Sequence, residues 1–253
     1  MTSQRSDRGQ LLHQSLARVQ ERIDEACARH DRKPDEVTLI VVTKFFPMSD
    51  VAELVSLGVR DIGESRDQEA SAKVAELRDE LGHDAMPTIH MVGQIQTKKS
   101  GSISKYADVV HSIDRPKVVH ALDRACARAR EEGQREAALS VLVQVDLGEG
   151  SDAGRGGALP AHLDDLADEV AECGSLRLRG VMAVAPAEAA HDECAASAAI
   201  ARLTECHQRV LAAHPGADWR SAGMSGDLEL AIAAGATHLR VGSAILGSRP
   251  PAR

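Results

Sequence analysis

The apolar pattern begins with a helical period and then changes to strands. Leu12, Leu16, Val19, Ile23 and Ala26 recur at three- and four-residue intervals, which predicts an amphipathic lead-in helix over residues 9–30, within a leading segment 1–34. Val37 to Thr43 is then an unbroken run of aliphatic and β-branched residues, the composition of a strand covered on both faces. Short runs of this kind return at 59–63, 88–92, 108–111, 139–145, 178–184, 218–220 and 238–241. Between them lie helix-like segments at 50–57, 67–81, 98–106, 116–132, 160–173, 192–214 and 226–234. Ser49 stands where a helix cap would, Gly58, Gly82 and Gly235 stand where helices stop, and Pro116 stands in a first turn, all common terminal residues.

Eight strand–helix units of about 26 residues each, across 37–245, are what a (β/α)8 barrel requires; a doubly wound open sheet uses the same units. No linker divides them, so residues 1–253 read as one α/β TIM-barrel domain, with the barrel at 37–248. Polar, chemically useful residues gather at the C-terminal ends of strands: Lys44, Glu64, Gln94, Ser112, Ser221 and Arg240. In a closed barrel those ends share one face, where barrel enzymes build their sites.

Aromatic residues make up only 2% of the chain, so the core is expected to be Val, Leu, Ile and Ala. Thirty basic residues against 38 acidic ones give a net charge of −8 with no basic run, which argues against nucleic acid and anionic membranes as general partners. No apolar run approaches the roughly 20 residues a membrane helix needs, and the first ten residues are polar and unlike a signal peptide. Five cysteines, none in a C-x-x-C, fit a reducing compartment, so a cytoplasmic location is expected. Eleven histidines show no H-E-x-x-H or paired spacing, which argues against a metal site.

Lys44 closes the first strand run, ahead of Phe45, Phe46 and Pro47. A lysine ending a buried strand must find a partner for its ammonium or lose its proton, and the desolvated amine can condense with an aldehyde; snorkelling to water is the plain alternative. Glu64 reads as an ion-pair partner for Arg66 or Lys44. His90 and His111 read as hydrogen-bonded core histidines near the site face. Two glycine–serine clusters follow the last strands, Ser221-Ala222-Gly223-Met224-Ser225-Gly226-Asp227 and Arg240-Val241-Gly242-Ser243. Their amides and hydroxyls, capping residues if taken singly, together favour a phosphorylated ligand, where barrels commonly bind one. Gly223-Met224-Ser225-Gly226 is not a nucleophile elbow, because Asp227 stands where G-x-S-x-G needs glycine. The stretch 148–157 fits neither a P-loop nor a dinucleotide fingerprint and reads as a surface loop, a candidate lid.

Seven motifs, in order, carry a resemblance. They are Val42-Thr43-Lys44, Ile62-Gly63-Glu64-Ser65-Arg66-Asp67-Gln68-Glu69, His90-Met91-Val92-Gly93-Gln94-Ile95-Gln96-Thr97-Lys98-Lys99, His111-Ser112-Ile113-Asp114-Arg115, Arg179-Gly180-Val181-Met182, Gly223-Met224-Ser225-Gly226-Asp227 and Arg240-Val241-Gly242-Ser243-Ala244-Ile245-Leu246-Gly247. Together, over residues 37–248, they resemble the pyridoxal phosphate homeostasis protein family, which is similar to the N-terminal barrel of alanine racemase. The resemblance implies an internal aldimine between pyridoxal phosphate and Lys44. It implies phosphate contacts from Ser221, Met224, Ser225, Gly242 and Ser243, a place for Arg240 at the pyridine nitrogen, and Ser65 and His90 among the cofactor-binding residues. A permanent cation beside that nitrogen disfavours its protonation and weakens the ring as an electron sink.

The implied role is non-enzymatic: holding and delivering the cofactor in intracellular vitamin B6 homeostasis, with pyridoxal phosphate-dependent apo-enzymes as partners and a monomer as the expected state. An amino-acid racemase of low activity is the alternative, and a Schiff-base aldolase a third reading. A two-base racemase needs a second acid or base, commonly a tyrosine from a separate domain. Here the chain ends at Arg253 after the last unit, and the only tyrosine, Tyr106, falls on a predicted helix away from the mouth. The chain departs from the family pattern at Ser65, where asparagine is common, at Gln94, where histidine or arginine is common, and at Ala222, where methionine is usual.

Overall fold

A computed structural model of the chain describes residues 2–148, 156–186 and 192–249. In chain order the elements are α1 (Thr2–Arg29), β1 (Thr38–Val42), α2 (Met48–Ser56), β2 (Asp61–Glu64), α3 (Asp67–Leu81), β3 (Thr88–Met91), α4 (Ser100–Tyr106), β4 (Val109–Ile113), α5 (Pro116–Glu131), β5 (Leu139–Gln144), α6 (Leu163–Ala171), β6 (Leu176–Met182), α7 (Glu193–Ala213), β7 (Trp219–Ser221), α8 (Leu228–Ala233), β8 (His238–Val241) and α9 (Ser243–Leu246). The eight strands are parallel and close into a barrel, β8 pairing with β1 from Thr38↔His238 to Val41↔Val241. Most of the candidate lid, 148–157, lies outside the described residues.

Local chemistry accounts for most element ends. Pro116 opens α5, and Asp192 caps α7 by accepting from the amides of Cys194 and Ala195. Ser49 does not cap α2: the helix begins one residue earlier, after the extended residue Pro47, and has no side-chain cap. α1 starts at Thr2, well before the apolar stripe that marks it in the sequence. Its inward residues Leu12, Val19 and Ile23 are buried, and it packs along α8 and α9.

Residues paired across neighbouring strands share a face, so the register identifies what fills the barrel. Ile40 pairs with Arg240, Gly63 with His90, His90 with Val109, Gly180 with Trp219, Met182 with Ser221 and Ser221 with His238. The opposite set, including Val41, Ile62, Ile89, Met91 and Val241, joins the aliphatic core beneath the helices. Barrel interiors are usually filled by branched apolar side chains. Here Val109, Leu142 and Met182 form an interior apolar cluster with Trp219 against it, Ile40 lies beside Arg240, and among the described residues much of the rest of the interior is polar. Gly180 lets β6 lie close against β7, since a Cβ there would clash with the Trp219 backbone, 1.9 Å from its carbonyl oxygen.

Candidate functional site

Lys44 lies at the mouth, but not at the end of a buried strand. β1 ends at Val42, the Thr43 amide pairs with the Gly63 carbonyl at 2.9 Å, and Lys44 follows in a turn, half-buried. Phe45 has φ of 73°, a left-handed backbone that few aromatic residues adopt, and this turns the chain away from the sheet. The Lys44 ammonium sits 5.9 Å from the Phe45 ring centre, and the Arg66 and Arg249 guanidinium carbons lie 5.0 and 3.9 Å from it. Three cations thus gather at one edge of the mouth.

The lysine that is buried is Lys73, on α3. Its ammonium donates to the Thr43 carbonyl at 2.9 Å, to Glu64 Oε1 at 2.7 Å and to Glu69 Oε1 at 3.2 Å. Glu64 therefore pairs with neither Arg66 nor Lys44. It faces outward from β2 and meets the helix layer, where it also accepts from the Thr43 hydroxyl at 2.6 Å. Burial pushes its carboxyl above the ordinary value, with Lys73 and Thr43 pulling it back. Lysine in a helix reads as a solvent-facing position; what marks this one is Glu69 one turn before it and Glu64 at the neighbouring strand end.

A second network runs through the barrel. Arg240 can only donate and a carboxylate only accepts, so with both histidines as neutral imidazoles the chain of bonds runs one way. Arg240 Nη1 donates to Ser221 Oγ at 2.6 Å, the Ser221 hydroxyl to His111 Nδ1 at 3.0 Å, His111 Nε2 to His90 Nδ1 at 2.8 Å, and His90 Nε2 to Asp61 Oδ1 at 3.0 Å. The other end of the guanidinium donates to the Ala183 carbonyl at 2.8 Å. Arg240 is thus enclosed below the mouth; burial lowers it to about 10, which leaves it cationic at neutral pH. Two of the residues expected to touch the ligand, His90 and Ser221, have partners inside the barrel. Both His90 ring nitrogens are bonded within the barrel, so His90 is a core residue. Ser221 Oγ is likewise engaged, by Arg240 on one side and His111 on the other.

The donors that remain lie in the following turn. Gly223, with φ of 92°, turns the chain where a Cβ would meet Ala231 and Leu239 at under 3 Å. Met224 is exposed and its amide donates to Asp227 Oδ1 at 2.6 Å. The amides of Ser225 and Gly226 have no partner among the described residues. Ser225 Oγ accepts from the Ser243 hydroxyl at 3.2 Å and the Ala244 amide at 3.3 Å, which leaves its proton free. Gly242 packs against β1, where a Cβ would meet the Val42 carbonyl at 3.2 Å. α1 braces this cup from behind: Arg22 donates to the Ser225 carbonyl and Glu229, and Arg8 to the Leu246 carbonyl. Ser65 lies at the opposite rim, where Gly93 is needed because a Cβ would come 2.2 Å from the Ser65 carbonyl oxygen. Gln94 donates to Asp114 there.

The barrel histidines give a pH prediction. Burial, reinforced by His90, lowers His238 to about 3, and the same two causes lower His111 well below its ordinary value. An unfolded histidine takes up a proton near pH 6.5, whereas these do not. Their contribution is complete above pH 6.5 and is lost as pH falls below it, for His238 by about 2 kcal/mol at pH 5. Urea midpoints should fall between about pH 7.5 and 5, and His238→Asn should flatten that fall; an unaltered slope would refute the assignment.

The chain matches the model of the alanine racemase N-terminal domain over residues 14–250. It is 44% identical over 249 residues to the pyridoxal phosphate homeostasis protein of Mycobacterium tuberculosis, covering 96% of this chain and 95% of the relative. The chain belongs to this family. Among solved family structures, PipY of Synechococcus elongatus with PLP bound superposes with a TM-score of 0.73 at 31% identity, over 89% of this chain and all of that one. Alanine racemase from Corynebacterium glutamicum superposes with a TM-score of 0.67 at 11% identity, over 94% of this chain and 60% of the racemase. That second likeness is one of fold.

Proposed function

We propose that this family member holds pyridoxal phosphate reversibly through Lys44 and serves vitamin B6 homeostasis as a carrier, not as an enzyme. The observation that carries this reading is the placement, on one barrel mouth, of an amine after β1 and an anion cup after β7 and β8, in a chain related to PLP-bound PipY. Pyridoxal phosphate supplies an aldehyde that condenses with amines and a ring that withdraws electrons. Lys44 would take the aldehyde carbon, and the Ser225 hydroxyl with the Ser225 and Gly226 amides would hold the phosphate. Ser243 and Gly242 keep that cup in shape. Ser221 holds Arg240 and fixes the cationic end of the site.

A carrier reading also fits the engaged state of the other proton-transfer groups. The Tyr106 hydroxyl donates to Asp67 Oδ1 at 3.3 Å, and burial and Asp67 push its proton loss far above neutral pH. His90 and His111 are bonded inside the barrel. Apo-enzymes that need the cofactor are the proposed recipients, and the cytoplasm the proposed compartment; among the described residues no helix is long and apolar enough to cross a membrane.

The protein as isolated should be yellow, with the cofactor fixed to Lys44 by borohydride. Cα-proton exchange on alanine should stay far below ordinary turnover. Exchange at roughly 1 per second or faster would replace the carrier reading with a racemase.

A further inference from the structure

α3 reaches the two peptide bonds on either side of Lys44. Lys73 donates to the Thr43 carbonyl at 2.9 Å, in the peptide bond that precedes Lys44. Glu69, one helical turn before Lys73, accepts the Phe45 amide on Oε1 at 2.5 Å, in the peptide bond that follows. The two side chains bond each other at 3.2 Å, and Glu64 holds the Lys73 ammonium from the β2 side at 2.7 Å. All three ammonium protons are thus assigned. The second Glu64 oxygen, Oε2, is buried without a partner.

This arrangement is an expensive way to fill space. A buried ion pair with an orphaned oxygen does no better for stability than apolar side chains of similar volume. It also holds Phe45 in a strained, left-handed backbone, and strain of this kind persists only where the surroundings enforce it. Both features have one geometric result: the backbone of Lys44 is held from outside the barrel wall, with no contact to the amine itself.

We infer that Glu69 and Lys73 are positioning residues that fix the direction in which Lys44 presents its amine to an aldehyde. The inference rests on the proposed role of Lys44, and it adds the device that aims it. Condensation joins the amine nitrogen to the aldehyde carbon and releases water, so its rate depends on the approach angle, and small misplacements of a reacting group are costly.

The test compares Glu69→Ala, Glu69→Gln and Lys73→Met with the unaltered protein, using two probes. Pyridoxal phosphate uptake is followed as growth of the visible band. Propanal with cyanoborohydride alkylates amines without any phosphate, and peptide mass spectrometry reads the rate at each lysine. The clamp predicts that Glu69→Ala and Lys73→Met slow both reactions at Lys44 by about tenfold or more, while rates at surface lysines stay unchanged. Glu69→Gln keeps an acceptor for the Phe45 amide and should restore most of the rate. Unaltered Lys44 rates in folded Glu69→Ala and Lys73→Met would overturn the inference, as would equal slowing at every lysine. If Lys73→Met fails to fold, the Glu69 pair decides, because Glu69→Ala leaves Lys73 two acceptors. If the unaltered protein takes up no pyridoxal phosphate at Lys44, the proposed function fails, and the propanal arm still judges the clamp.

Discussion

Lys44→Ala protein should be colourless, and borohydride should fix no cofactor to it. The substitution removes the amine that follows β1, and the neighbouring Lys73 cannot take its place, because it lies behind the barrel wall with all three protons bonded. The anion cup is untouched, so cofactor should still bind weakly and wash out on gel filtration. Folding should be nearly unaffected. Lys44 is half-buried, and its contact with Phe45, at 5.9 Å, is a cation–π interaction worth at most about 1 kcal/mol at such a site. A loss of that size moves the melting temperature of a domain this large by about 2–4 °C. A visible band that survived in Lys44→Ala would end the assignment of the amine.

His111→Leu is expected to lower stability most among the site variants. The His111 ring is fully enclosed and bonded at both nitrogens. Leucine would leave the Ser221 hydroxyl proton without an acceptor and His90 Nδ1 without a donor inside the barrel, and each orphaned group costs about 1–3 kcal/mol. A net loss of about 3 kcal/mol corresponds to a melting temperature roughly 6–12 °C lower. Urea unfolding followed through Trp219, which packs 4.2 Å from His238 inside the same barrel, would measure the loss. A midpoint equal to that of the unaltered protein would show that the bonded chain contributes nothing. Ser221→Ala breaks the same chain one link nearer the mouth and should also loosen Arg240, so cofactor retention should fall along with stability.

The barrel was legible because its signals are local. The segment 67–81 has Gly82 directly after it, and 238–241 lies between glycine-punctuated stretches; both match the structure at each end. Segments with weaker punctuation moved: the strand read at 178–184 is Leu176–Met182, and the helix read at 160–173 is a short 3-10 turn followed by Leu163–Ala171. α9 leaves no signal in the sequence because four residues carry no period. In the site, Lys44 and the glycine–serine turns announced themselves at strand ends. The Lys73 clamp did not, because a lysine and a glutamate one turn apart look like an ordinary solvated helix face. The barrel chain joins residues 19 to 110 positions apart, so no short motif could contain it. One signal was available: Asp61, His90, His111, Ser221, His238 and Arg240 are polar residues in or beside runs that a doubly covered strand would make wholly apolar.

With both histidines neutral, every link from Arg240 to Asp61 points the same way, and no single bond can be reversed without reversing its neighbours. The barrel therefore carries a standing polarity along its axis, with the guanidinium beneath the rim that bears Lys44 and the carboxylate toward the opposite opening. Taken by themselves, the guanidinium favours an anion at the Lys44 opening and the Asp61 carboxylate disfavours one at the other, which makes the two ends of an otherwise repetitive fold electrically unlike.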